Sequence, residues 1–415
     1  MKSMRKILFL ICLFSLSFYS CSIRNSLAPK RGELDAERTF TAQVLKSGES
    51  IGYFNIPSKL LKTTEHLAIY LQDGGSVALY ALNKMAQEFD YYYDSMTNIY
   101  GGHSDIDGNG KIIILLMKVN QEGSIGSTLA YFNPNDMYSG NNGEILYLDY
   151  NKIGNEIDKA IGTLIHEFQH LINYSQYLSG KRGLMSSWLN EALSESTSVL
   201  FNKATVESRI KEFNGINYYC FYTWNVPDSA KGKSSFINYP SASVFMHWLY
   251  YTNGSNESVF RDIAQSTEPA DWNKVLTAAR KVSGLIGSSW ADLLLTWMSD
   301  VASGKVKTDT TNAITNTTNG NVNLYPGAMV IYDKTYTSSG NGNIVTKQIN
   351  GSSKTGDTTT IVLNKDTSLN TNSSVSVRVN GTSSSGNSLA RQSIIENKEE
   401  TRYINILLDE NGNIQ

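Results

Sequence analysis

Between Leu164 and Ile172 the chain reads His166-Glu167-Phe168-Gln169-His170, two imidazoles four residues apart with a carboxylate directly after the first. Apolar residues recur around them at Ile157, Ala160, Ile161, Leu164, Ile165, Phe168, Leu171 and Ile172, the spacing of a helix with one buried face. On a helix, positions i and i+4 lie roughly 40° apart around the axis and about one turn apart along it. His166 and His170 can therefore aim two nitrogens at one point. Glu167, one residue further round, reaches a water on that point rather than the point itself. This is the geometry of a catalytic zinc with a general base beside it. The two residues before His166, the two between Glu167 and His170, and the two after His170 carry no charge, as suits a helix packed from behind.

A catalytic zinc takes three protein ligands and leaves a fourth position for water, so the third ligand must come from another element. Downstream the chain reads Trp188-Leu189-Asn190-Glu191-Ala192-Leu193-Ser194-Glu195. Leu189, Ala192, Leu193, Ser196, Val199 and Leu200 mark a second amphipathic helix, with Glu191 and Glu195 on one of its faces.

The His-Glu-x-x-His motif, the gap of about this length and the Asn-Glu-x-x-Ser-acid that follows resemble the gluzincin branch of zinc metallopeptidases, which includes thermolysin. Glu-Phe-Gln-His together with Trp-Leu-Asn-Glu most resembles the hyicolysin-type neutral metallopeptidases. The resemblance runs from about residue 75 to 300 and is dense only over 143–200. Carried over by position, it implies Glu191 as the third ligand and Glu195 as a carboxylate that orients His166. Glu195 stands where thermolysin-like sequences have Asp. An exposed helix carboxylate is the alternative for each.

The resemblance implies a sheet beside the motif helix and a helical lobe below it. Residues 41–72 carry short alternating runs, Ile51 to Ile56 and Leu67 to Leu71, which predict a small leading β unit. Residues 76–95 predict a helix packed beneath a sheet. Lys111 to Val119, Ser127 to Phe132 and Glu144 to Asp149 predict further strands. By resemblance, 127–132 is the edge strand that pairs with an extended substrate. Tyr239-Pro240 precedes a predicted helix over 241–251, and further helices are predicted within 257–303. In gluzincins a Tyr or His beyond the metal helices stabilises the oxyanion, which makes Tyr239 and then His247 the candidates. Ordinary packing accounts for either residue equally well.

Asp105, Asp107 and Asn109, with Gly110 next, match the first half of an EF-hand loop. Position 12 falls on Leu116, so a normal EF-hand is excluded. The alternatives are a tight turn into a buried strand or a partial calcium site completed by distant ligands.

Residues 1–21 read as an export signal: Lys2, Arg5 and Lys6, then an apolar run from Ile7 to Tyr19 too short to span a bilayer. Ser20-Cys21 resembles a lipoprotein cleavage site with Cys21 as the lipidated residue, although Phe18 stands where Leu is usual. A lipid anchor would hold the protein at a membrane surface. Cys220 is then the lone remaining thiol, so no internal disulfide can form in the mature chain.

A formal net charge of −2 with no basic block excludes a nucleic-acid partner. Composition predicts a polar tether over 22–40, a catalytic domain over 41–303, a Thr/Asn/Gly linker over 304–323 and an accessory domain over 324–415. Short β-like runs spaced by Ser, Gly and Asn turns suggest a β-sandwich for the last of these.

The expected fold is therefore α+β: a zincin-like domain with a mixed sheet, an active-site helix and a helical lower lobe, followed by an all-β sandwich-like domain. The expected function is a monomeric, exported zinc endopeptidase acting on protein or peptide, with calcium as a second possible ion. The rival is a surface lipoprotein adhesin that binds a host or matrix protein through its β domain and keeps the zincin domain as scaffold.

Overall fold

The structure is a computed structural model. It describes residues 32–379 except 47–48, 123–127, 139, 155, 225–236, 283–287, 306–319, 333–340, 350–357 and 370–372. The export signal, Cys21 and the part of the expected accessory domain beyond residue 379 lie outside the described residues.

A six-stranded mixed sheet forms the upper part, in the order β1-β2-β3-β4-β6-β5. Its strands are β1 (Glu37–Lys46), β2 (Glu49–Thr63), β3 (Leu67–Gln72), β4 (Ile112–Met117), β5 (Ala130–Phe132) and β6 (Ile145–Asp149). β3, β4 and β6 run parallel, and the outer pairs are antiparallel. A parallel step from β3 to β4 needs a crossover, and helix α1 (Leu79–Tyr100) provides it.

The unbroken Ile112-Ile-Ile-Leu-Leu-Met117 of β4 is buried on both faces, as expected of a central parallel strand. Ile112, Ile114 and Leu116 join the main core with the helices. Ile113, Leu115 and Met117 join a second core with Phe40, Ala42 and Leu45 of β1. The sheet therefore curls until its two ends meet. The Tyr131 hydroxyl of β5 accepts from Gln43 N at 2.9 Å and donates to Gln43 O at 3.0 Å on β1.

β1 begins at Glu37, inside the stretch read as a tether, because Phe40 and Ala42 alternate inward despite their polar neighbours. The strands of the leading β unit join the main sheet, in which β3 is an interior strand.

The short helix α2 (Tyr150–Ile153) leads into the motif helix α3 (Ile157–Leu178), followed by α4 (Ser187–Phe201) and α5 (Lys203–Phe213). The pattern predicts one buried face for α3, yet every residue from Ala160 to Gln176 is buried. Sheet, α1 and α4 enclose it, so its polar residues must find partners inside the protein. Each fully buried Leu, Ile or Phe on it contributes about 1.5–3 kcal/mol. Gly162 marks its closest approach to the α4–α5 junction, where a Cβ would collide with the Asn202 amide.

The lower lobe consists of α6 (Asn238–Thr252), α7 (Ser258–Ala264), α8 (Asp271–Arg280) and α9 (Trp290–Ala302). Tyr239 and Pro240 lie within the first turn of α6 rather than before it, where a proline costs no hydrogen bond.

Beyond the lobe are two small antiparallel sheets. β8 (Met329–Tyr332), β10 (Thr359–Asn364) and β9 (Ile344–Ile349) form one, and β7 (Gly320–Leu324) pairs with β11 (Val375–Val379) in the other. β7 starts inside the predicted linker. The described strands of the expected accessory domain pack against the helical lobe. Val330, Ile361 and Leu363 belong to the same buried cluster as Trp290 and Trp297, because apolar side chains on α9 and the 218–224 segment extend the core across the compositional break.

Candidate functional site

Helix α3 carries His166, Glu167 and His170 into the interior, and α4 packs across it with Glu191 and Glu195. His166 Nε2 lies 3.4 Å from Glu191 Oε2, and His170 Nε2 lies 3.6 Å from the same oxygen. The three ligand atoms all lie within 4.8 Å of one another, and all three residues are buried. Tetrahedral ligands about 2.0–2.2 Å from zinc sit about 3.3 Å apart, so the two measured separations fit one small dication. Two imidazoles and one carboxylate are also a donor set that zinc accepts.

The electrostatics point the same way. Burial disfavours a charged His170, but the Glu191 carboxylate offsets this and raises the imidazole to about 9. Burial likewise opposes the Glu191 charge, yet the His170 and His166 rings hold its carboxyl down at about 2. A buried anion facing two imidazoles is an arrangement that a cation stabilises.

Each imidazole has support on its far nitrogen. His170 Nδ1 lies 3.1 Å from Ser194 Oγ, whose hydroxyl donates to Gln169 Oε1. A Ser194 oxygen that accepts from Nδ1–H leaves Nε2 facing Glu191, where it can hold a proton or, in its place, a metal. His166 Nδ1 faces Glu195 Oε1 at 3.8 Å. Glu195 in turn is gripped by Arg209 of α5, with Nε donating to Oε2 at 3.0 Å and Nη2 to Oε1 at 2.9 Å.

Glu167 is fully enclosed. Its Oε2 accepts from Phe132 N at 3.0 Å, which ties it to β5 at the end of the sheet. Its Oε1 is buried and makes no hydrogen bond among the described residues. Burial raises its pKa above the ordinary carboxylate value, the His170 and His166 rings counteracting in part. A carboxylate with one oxygen anchored and the other open is placed to accept a proton.

Tyr239 and His247 both lie on α6 and are buried. The Tyr239 ring is 5.1 Å from the Arg209 guanidinium carbon and edge-on to Trp224 at 5.0 Å. His247 packs against Tyr251, their ring centres 4.4 Å apart.

Asp105 and Asp107 meet Glu144, with ligand atoms of all three within 4.8 Å of one another. Asn109 Nδ2 donates to Asp107 Oδ2 at 2.7 Å. The loop also makes the tight turn expected before β4, with Gly110 N donating to Asp105 Oδ1 at 3.0 Å. Burial raises Asp107 to about 6.

Arg209 and the Phe132 amide have no counterpart in the sequence reading, and Ser194 figures there only as part of the Asn-Glu-x-x-Ser-acid motif, with no role of its own. Ser194 had a signal, since it lies three residues after Glu191 on the same helix face. Arg209 had none, because its partner is on a different helix. The Phe132 amide is a backbone group and carries no residue-type signature.

No protein-family model matches the chain. It is 26% identical over 270 residues to the neutral metalloprotease ShpI of Staphylococcus hyicus. The alignment takes in 61% of this chain and 59% of that protein, so the chain spans about three fifths of that relative's length.

Proposed function

We propose that the chain is a zinc-dependent endopeptidase of the hyicolysin-like gluzincin type, hydrolysing peptide bonds of extracellular proteins. The observation that carries this is the convergence of His166, His170 and Glu191 at spacings one zinc ion would bridge, with the open oxygen of Glu167 beside them. The likeness to a named metalloprotease supports the same reading.

His166, His170 and Glu191 would hold the metal. Bound zinc would supply a Lewis acid for the scissile carbonyl and an acidified water. Glu167 Oε1 takes the proton of the attacking water, and Glu167 then delivers it to the leaving amine. Phe132 N–H keeps the other oxygen in place meanwhile. Glu195 and Ser194 fix the two imidazole rings. The end strand β5 would pair with the extended substrate backbone. Tyr239 and His247 remain the candidates for oxyanion stabilisation, and Tyr239 is tied to the site through Arg209.

Export with a lipid anchor on Cys21, and a monomeric state, complete the proposal. Among the described residues no helix is long and apolar enough to cross a membrane. We further propose calcium at Asp105, Asp107 and Asn109, with Glu144 supplying the carboxylate that the loop lacks at position 12. Calcium should then raise the melting temperature, and an unchanged midpoint would remove the ion.

The deciding experiment is digestion of casein or a peptide library with and without a chelator, with zinc measured on the same sample. Activity that follows zinc supports the peptidase. Zinc bound without any cleavage favours the adhesin reading, in which the metal domain is scaffold.

A further inference from the structure

We infer that Arg209 is a positioning residue for the metal ligand His166 and acts through Glu195. The inference rests on the zinc reading above.

Arg209 lies on α5, outside both helices that carry the ligands, and its side chain is buried. Its Nε and Nη2 take one oxygen each of Glu195, at 3.0 and 2.9 Å, so the fork fixes the plane of that carboxylate. Oε1, the oxygen held by Nη2, is also the one facing His166 Nδ1 at 3.8 Å. The guanidinium is itself held on two further sides. Nη1 donates to Glu212 Oε2 at 3.1 Å, and the Tyr239 ring centre lies 5.1 Å from Cζ. A chain of oriented groups thus runs from α5 through Glu195 to the imidazole ring, which the carboxylate meets at ion-pair rather than hydrogen-bond distance and steers through its charge.

Charge gives a second argument. Glu167, Glu191 and Glu195 are three carboxylates buried close together. A dication at His166, His170 and Glu191 supplies two positive charges, and Arg209 supplies the third. Without Arg209, Glu195 is a buried carboxylate deprived of its fork, free to turn and draw His166 out of line. Lysine cannot replace it, because a single ammonium fixes a carboxylate's position but not its plane.

The alternative is that Arg209 merely staples α5 to α4. That role predicts lost thermal stability with unchanged metal affinity. The test measures zinc affinity by chelator competition for the full chain and for Arg209→Met, Arg209→Lys, Glu195→Gln and the Arg209→Met/Glu195→Gln double variant. Melting of the chelated proteins is followed in parallel. Arg209→Met and Glu195→Gln should each weaken zinc binding by about 10–100-fold. The double variant should be no weaker than the worse single one, and Arg209→Lys should recover only part of the loss. Wild-type affinity in Arg209→Met, or losses that multiply in the double variant, would overturn the inference. Should Arg209→Met not fold, unchanged affinity in both Arg209→Lys and Glu195→Gln overturns it equally. A wild-type protein that binds no zinc would instead overturn the metal reading beneath it.

Discussion

On the proposed reading, zinc and a proton compete for one nitrogen of His170, and the structure sets the terms of that contest. Burial alone would keep the ring neutral. The Glu191 carboxylate, with Glu167 and Asn190 behind it, outweighs burial and raises the imidazole to about 9. At pH 7 the metal-free protein therefore holds a proton that zinc must expel. Affinity should climb with pH by about one decade per unit and level off only near pH 9. Between pH 7 and 9 the gain is about 100-fold, or about 3 kcal/mol. An ordinary histidine, titrating at about 6.5, would have levelled off before about pH 8.

Two measurements check this. Chelator competition across about pH 6.5 to 9.5 gives the slope, and calorimetry in buffers of different ionisation enthalpy gives the protons released, about one at pH 7. The chelated protein provides a control of the sign. A folded-state pKa above the unfolded value contributes stability that is full below about pH 6.5 and is lost as pH rises through about 9, so the metal-free protein should lose stability over that window. Zinc affinity that is flat above about pH 7.5, with no proton released, would refute the His170–Glu191 pairing.

Three more outcomes follow from particular contacts. Glu167→Gln should keep full zinc content while kcat/KM falls by about 10²–10⁴-fold, since its amide cannot take the proton; His170→Ala should lose both zinc and activity. Gly162→Ala forces the Asn202 amide away from Asp158 O, to which it donates at 2.9 Å, and should cost about 1–3 kcal/mol of stability by denaturant titration. Burial raises the Asp136 carboxyl to about 7 despite hydrogen bonds from Tyr147 and Asn141, so its contribution is full below about pH 4 and is lost as pH rises through about 7. Asp136→Asn should therefore flatten the decline in melting temperature between about pH 5 and 8, and parallel curves for the two proteins would contradict this assignment.

What the sequence discloses here depends on how far apart interacting residues lie along the chain. His166, Glu167 and His170 lie within one helical turn, where spacing fixes geometry and residue type alone announces the chemistry. Glu191 was legible by resemblance, because it sits on a helix with a recognisable register. The helices of the lower lobe and the strand β4 were legible from apolar pattern. Arg209 was not, since a basic residue on a weakly amphipathic helix has the same pattern whether it is solvated or buried against Glu195. The curl of the sheet was equally hidden. Phe40 and Ala42 look like sparse apolar residues in a polar stretch until Gln43 is found bonded to Tyr131, 88 residues away. Composition and packing part company near residue 320 for a related reason. The Thr/Asn/Gly-rich stretch marks where side chains are small and polar, not where packing stops.

That packing bears on the site. Among the described residues, strand β7, the turns beside the later strands and the Tyr219–Met329 backbone bridge hold the 218–224 segment. Tyr218 donates to Asn323 O at 2.9 Å, Tyr222 to Thr367 O at 2.7 Å and Thr223 to Pro326 O at 2.7 Å. Asn238 Nδ2 then spans Cys220 O at 3.0 Å and Thr223 O at 2.9 Å, which fixes the start of α6. Tyr239 is the next residue, and its ring lies over the guanidinium that grips Glu195. One continuous set of contacts therefore joins the terminal strands to the carboxylate facing His166. A metal site built on α3 and α4 alone would leave its outer carboxylate free to rotate. With α5, α6 and the chain beyond residue 320 behind it, that carboxylate is held in one orientation, so the contacts of the small β sheets reach the proposed metal site.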